Sequence, residues 1–174
     1  MTTRVPVAAI LAIALGTLIS AAGPDVPAAR PTPREALGML KDGNDRFARN
    51  GSMPLSLGVN RRSALAGGQH PVAMILSCAD SRAPPEHVFN AGLGDLFVIR
   101  TAGEVIDRSV LATLEYGVEH LHVPLIVVMG HESCGAVAAA ADASARGSAS
   151  MLYLLEAIRA PAGSRRENGT TSAA

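Results

Sequence analysis

Tryptophan is missing from this 174-residue chain, tyrosine occurs twice, phenylalanine three times and cysteine only twice. Two cysteines exclude a disulfide-dense mini-protein. Net charge is missing too: 15 basic residues balance 15 acidic ones, and the sequence pI is near 7. That balance excludes a nucleic-acid binder working through a basic face. Disorder along the whole chain is also excluded, because 48% of the residues are apolar. What remains is one domain, long enough to bury a core.

A membrane-length apolar run is also lacking. The run over residues 5–19 (VPVAAILAIALGTLI) is short of the ~20 residues a spanning helix needs. Arg4 precedes it and Ser20, Ala21 and Ala22 follow it, so residues 1–22 read as a signal peptide. An uncleaved membrane anchor is the alternative. The expected location is periplasmic or secreted, with no stable membrane insertion once the leader is cleaved. In an oxidising compartment two cysteines ordinarily form one disulfide.

Residues 23–32 form a proline-rich linker. A domain is expected over 33–159, followed by a polar, patternless tail over 160–174 expected to be disordered. Thr32, Pro33 and Glu35 spell a capped helix start, with Leu37, Leu40 and Phe47 as its apolar stripe. A short helix is predicted over 60–66. Buried strands are predicted at 72–77, 96–100 and 125–129, each a continuous apolar run. Helices are predicted over 108–121 behind Asp107, from Cys134 to about 143, and over 151–158 behind Ser150. This alternation gives an α/β fold, a mainly parallel central sheet flanked by helices.

Ligands in such folds bind beyond the carboxyl ends of the strands. Cys78 directly follows the first strand, in Cys78-Ala79-Asp80-Ser81-Arg82, and His131 and Cys134 follow the third. If those strands are neighbours, two thiolates and an imidazole converge, a set that suits tetrahedral zinc with Asp80 or water in fourth place. Arg82 is placed to hold Asp80 by a bidentate pair, ionised and off the metal. A Cys78–Cys134 disulfide in a metal-free exported domain is the competing reading, though it has no need of His131 or of the Asp80–Arg82 pair. His120 and His122 fit a helix C-terminus better than a metal arm. His70 and His87 lie in loops, and only a weak case exists for His87 as a proton shuttle.

Cys78-x-Asp80-Ser81-Arg82 followed by His131-x-x-Cys134 resembles the signature of the β-class carbonic anhydrases, bacterial type. The likeness extends through GGQHPVAMILSCADSRAPPE, GLGDLFVIRTAGE, ATLEYGVEHL and VMGHESCGAV, and back to EALGMLKDGNDRF, so it runs from Pro33 to Arg159. It implies one zinc ion per subunit on Cys78, His131 and Cys134, with Asp80 as fourth ligand in a closed state. It implies attack of zinc hydroxide on carbon dioxide, giving bicarbonate and a proton, with Asp80 and Arg82 as the catalytic dyad. Gln69 and Gly135 match positions that bind bicarbonate. Family members form homodimers or larger assemblies, with the site at the subunit interface and the first helix reaching across the partner. Hydrolysis of carbonyl sulfide or carbon disulfide is a related alternative, as is a zinc-binding but inactive relative. Two departures stand out: no strand pattern follows Arg159 where relatives continue through a final edge strand, and Glu104 replaces a common asparagine.

Overall fold

The computed structural model describes residues 30–167, with side chains through Arg159. The leader over 1–22, residues 23–29 of the linker and residues 168–174 of the tail lie outside the described residues.

Helix α1 (Pro33–Ala48) starts as its sequence demands. Thr32 accepts from the Glu35 N–H, and the Glu35 carboxylate accepts from the Thr32 N–H at 2.7 Å. Its buried face, however, is Ala36, Leu40 and Gly43, while Leu37 and Phe47 are 40% and 41% exposed. The expected stripe is therefore rotated. Gly43 lies against the Phe89 carbonyl, so small residues decide which face approaches the fold.

After the short helix α2 (Val59–Ala64) comes β1 (Ala73–Cys78), buried along its whole length. Helix α3 (Pro85–Val88), a single turn that the apolar pattern did not announce, leads to β2 (Leu96–Thr101). A 3-10 turn (Ala102–Glu104), also unannounced, precedes α4 (Arg108–Glu119), whose cap is Asp107 as expected. Then follow β3 (Ile126–Met129), α5 (Gly135–Ala141) and α6 (Ala149–Glu167). The α6 cap is Ser148, which accepts from the Met151 N–H, rather than Ser150. This helix also runs to Glu167, into the segment expected to be a patternless tail, although Pro161 and Gly163 there disfavour helix.

The sheet is parallel, in the order β2-β1-β3, with Ile75 opposite both Val98 and Val127. Alternation along β1 divides the core. Met74 and Leu76 join Ile99 and Val110 of α4, while Ala73 and Ile75 join Leu40 of α1. Helix α4 comes close at Gly117, where a Cβ would fall 2.6 Å from the Met74 Cε. The central strand thus contributes to both halves of the core; each fully buried side chain there contributes about 1.5–3 kcal/mol.

The third strand departs from expectation. Ile126 and Val128 are 44% and 65% exposed, although the run LIVVM reads as fully buried. They share a face with Met74 and Leu76, but β3 is the sheet edge, and among the described residues no element covers that strip.

Candidate metal centre

Both predicted ligand segments arrive at the carboxyl end of this parallel sheet. Cys78 ends β1; His131 and Cys134 follow β3, the strand paired with it. The Sγ atoms of Cys78 and Cys134 and a ring nitrogen of His131 all lie within 4.8 Å of one another. Both thiols are free, 3.8 Å apart. A disulfide needs about 2.05 Å, so the metal-free bridged reading does not describe this arrangement. Two sulfurs on one tetrahedral zinc, each at about 2.3 Å, stand about 3.8 Å apart.

His131 supplies a second test of fit. Its Nδ1 lies 2.9 Å from the Glu132 carbonyl, which can only accept, so Nδ1 carries the proton. That leaves Nε2 with a free lone pair, buried and without a hydrogen-bond partner. A buried acceptor aimed at two thiols is the donor set of a zinc site, and the Glu132 carbonyl is the outer partner that fixes its tautomer.

The charges favour a cation as well. Burial pushes the Cys78 thiol up, but N–H groups of Gly103 and Asp80, together with His131 and Cys134, outweigh it and hold the thiol below its ordinary value. His131 is pushed up, chiefly by the adjacent Cys78 sulfur, against the opposing effect of burial. A metal ion would compete with protons for Nε2 and the two sulfurs, so acid weakens binding.

Asp80 and Arg82 form the expected pair. Arg82 Nε donates to Asp80 Oδ1 at 2.9 Å and Nη2 to Oδ2 at 2.6 Å, while the Arg82 N–H also donates to Oδ1. These bonds hold the Asp80 carboxyl well below the usual carboxylate range. With both oxygens engaged, Asp80 is outside the ligand cluster, although its Oδ2 is 3.7 Å from His131 Nε2. Arg82 Nη2 also donates to the Ser133 carbonyl at 3.1 Å, which ties the two ligand loops together.

The structure adds Arg100 and Gly103, which the sequence reading missed. Arg100, next to last in β2, donates to the carbonyls of Cys78 at 2.8 Å and Asp80 at 2.5 Å. A lone cation ending the apolar run LFVIR was the available signal. Gly103 donates its N–H to Cys78 Sγ at 3.4 Å. Glu104 follows with φ of +53°, its Oε1 buried and unpartnered.

Gly135 adjoins Cys134 as the first residue of α5, with open space where a Cβ would stand. Gln69 is not brought to the site. It lines an open cleft of about 550 Å³ with Leu65, Leu93 and Leu96 at the amino ends of β1 and β2. The length of β1, roughly 17 Å, separates it from Cys78. His120 caps α4 against Tyr116, with ring centroids 5.1 Å apart, and joins no metal cluster among the described residues.

The family model for carbonic anhydrase matches residues 73–173. The chain belongs to the carbonic anhydrase family. It is 55% identical over 108 residues to carbonic anhydrase 2 of Mycobacterium tuberculosis, covering 62% of this chain and 52% of that one. Carbonic anhydrase of Mycolicibacterium smegmatis is 51% identical over 111 residues, 64% of this chain and 54% of that one. The chain therefore spans about half the length of the curated relatives it matches. Among solved structures, the β-carbonic anhydrase of Coccomyxa in complex with acetazolamide superposes with a TM-score of 0.56 at 28% identity, covering 78% of this chain and 62% of that one. The β-carbonic anhydrase CafA of Aspergillus fumigatus gives 0.54 at 29%, with 80% and 64% covered. The α/β fold with a parallel sheet is that of the β class.

Proposed function

We propose that the chain catalyses the reversible hydration of carbon dioxide to bicarbonate and a proton, using one zinc ion held by Cys78, His131 and Cys134. The observation that carries this reading is the convergence of two free thiols and an unpartnered imidazole nitrogen within 4.8 Å. Relatives named carbonic anhydrase at 51–55% identity support it. Bound zinc supplies an acidified water as nucleophile near neutral pH.

The protein's own residues then orient the reaction. Asp80 Oδ2, on the His131 side of its carboxylate, accepts a hydrogen bond from the attacking water and aims its lone pair. Arg82 keeps that carboxylate ionised and turned away from Cys78, His131 and Cys134, the residues that would hold the ion. The uncrowded Gly135 backbone lets substrate approach beside Cys134. Gln69 serves bicarbonate only from a neighbouring copy, since a strand's length separates it from its own chain's ligands. Self-association, as a homodimer or larger assembly, therefore belongs to the proposal; the related enzymes of Sordaria macrospora are tetrameric. Export belongs to it as well, supported by the apolar run over 5–19 and the small residues after it.

Stopped-flow carbon dioxide hydration, with zinc content measured on the same sample, tests the reading. Activity that tracks zinc supports it. A zinc-loaded chain without hydration would be an inactive relative, and turnover of carbonyl sulfide or carbon disulfide alone would make it a hydrolase. The mass of the exported protein locates its first residue.

A further inference from the structure

The 3-10 turn Ala102–Glu104 packs against both ligand-bearing segments, the end of β1 and the start of α5. Gly103 gives its N–H to Cys78 Sγ. The Glu104 carboxylate lies beside Gly130, the residue before His131. Thr101 Oγ1 donates to the Val105 carbonyl at 2.9 Å and closes the turn on itself. Gly103 has φ of +68°, in the left-handed region that favours glycine.

What covers Gly103 is the last helix. A Cβ there would fall 2.8 Å from Ile158 Cδ1 and 3.5 Å from Ala136 Cβ of α5. Helix α6 is itself anchored by Leu155, 2% exposed, and by Arg159, which donates to the carbonyls of Ala140 at 2.6 Å and Asp142 at 3.0 Å. A chain of contact thus runs from α6 through Ile158 and Gly103 to the Cys78 sulfur.

Resting on the metal reading above, we infer that Ile158 is a positioning residue for the metal centre, holding the 102–104 turn against Cys78 so that the Gly103 N–H stays on the sulfur. A hydrogen bond to a thiolate fixes the direction of its lone pairs and draws off charge, so its loss changes both how well and how strongly the sulfur donates. Ile158 does this without being a ligand.

Cobalt(II) loaded into the full chain reports on the sulfurs through thiolate-to-metal absorption. Ile158→Ala should weaken metal binding about tenfold or more in chelator competition and move the thiolate band. Ile158→Val, which deletes only Cδ1, should do the same to a smaller extent, and decides the matter if the alanine variant does not fold. Val123→Ala, a buried position at the amino end of the sheet, away from the ligands, should lower thermal stability while keeping the wild-type band. Wild-type affinity and band in the Ile158 variants would overturn the inference, as would equal metal loss in Val123→Ala. A wild-type chain that takes up no cobalt would instead remove the metal reading, and this inference with it.

Discussion

The strands that deliver the candidate metal ligands are held to very different degrees. Cys78 arrives on β1, buried throughout and paired on both sides, with its carbonyl pinned by Arg100 and its sulfur touched by Gly103. His131 and Cys134 arrive from β3, a four-residue edge strand with two exposed side chains. Its loop is tied to the first by Arg82 reaching the Ser133 carbonyl. One half of the site is therefore built by the core, and the other is aligned to it across the gap. Arg82 has two tasks at that junction: it fixes the Asp80 carboxylate and joins the loops.

The comparison breaks hardest at the junction itself. Asp80→Asn should keep zinc but lower carbon dioxide turnover roughly 10²–10⁴-fold, measured by stopped flow beside metal analysis. Full activity would remove Asp80 from the reaction. Stability should separate the two strands next. Met74→Ala on β1 should cost about 2–5 kcal/mol in chemical denaturation, whereas Val128→Ala on β3 should stay within about 0.5 kcal/mol. Equal losses would mean that β3 is covered in the working assembly. Arg100→Met should weaken zinc about 10–100-fold, because it frees the carbonyls of the better-held ligand segment.

The smallest effect is on acid stability. Arg82 depresses the folded Asp80 value, so the pair's contribution is complete above the unfolded aspartate value, about 3.9, and is lost as pH falls through the lower folded value. Metal-free wild type and Asp80→Asn should then run parallel from neutral pH downward and converge only below about pH 4, as read by thermal melts. Convergence at higher pH would show that Arg82 does not hold the carboxylate as described.

Much of this was legible in the sequence because it is local or periodic. Thr32 and Asp107 cap as their neighbours require, and the β1 run is buried because a central parallel strand has two covered faces. Cys78, His131, Cys134, Asp80 and Arg82 declared themselves through spacing and residue type. Less legible was which apolar residues face inward. Leu37 and Phe47 fit a helical stripe by hydrophobicity, yet the helix rolls toward Ala36 and Gly43, where close approach is possible. The β3 run carries the same composition as a buried strand, and it is exposed because among the described residues no element covers that strip of the sheet face.

By itself, then, the sequence determined the three strands and most of the helices, the donor atoms and the ion pair, since these follow from residue type and short-range spacing. Tertiary structure alone decided that the two cysteines stand at 3.8 Å as free thiols beside an unpartnered imidazole. It also decided that Arg100 and Gly103 hold the first ligand and that Gln69 lies a strand's length from its own site. Those outcomes depend on strand order and helix packing, which bring residues distant in sequence to one point or keep near ones apart, and no local pattern records that.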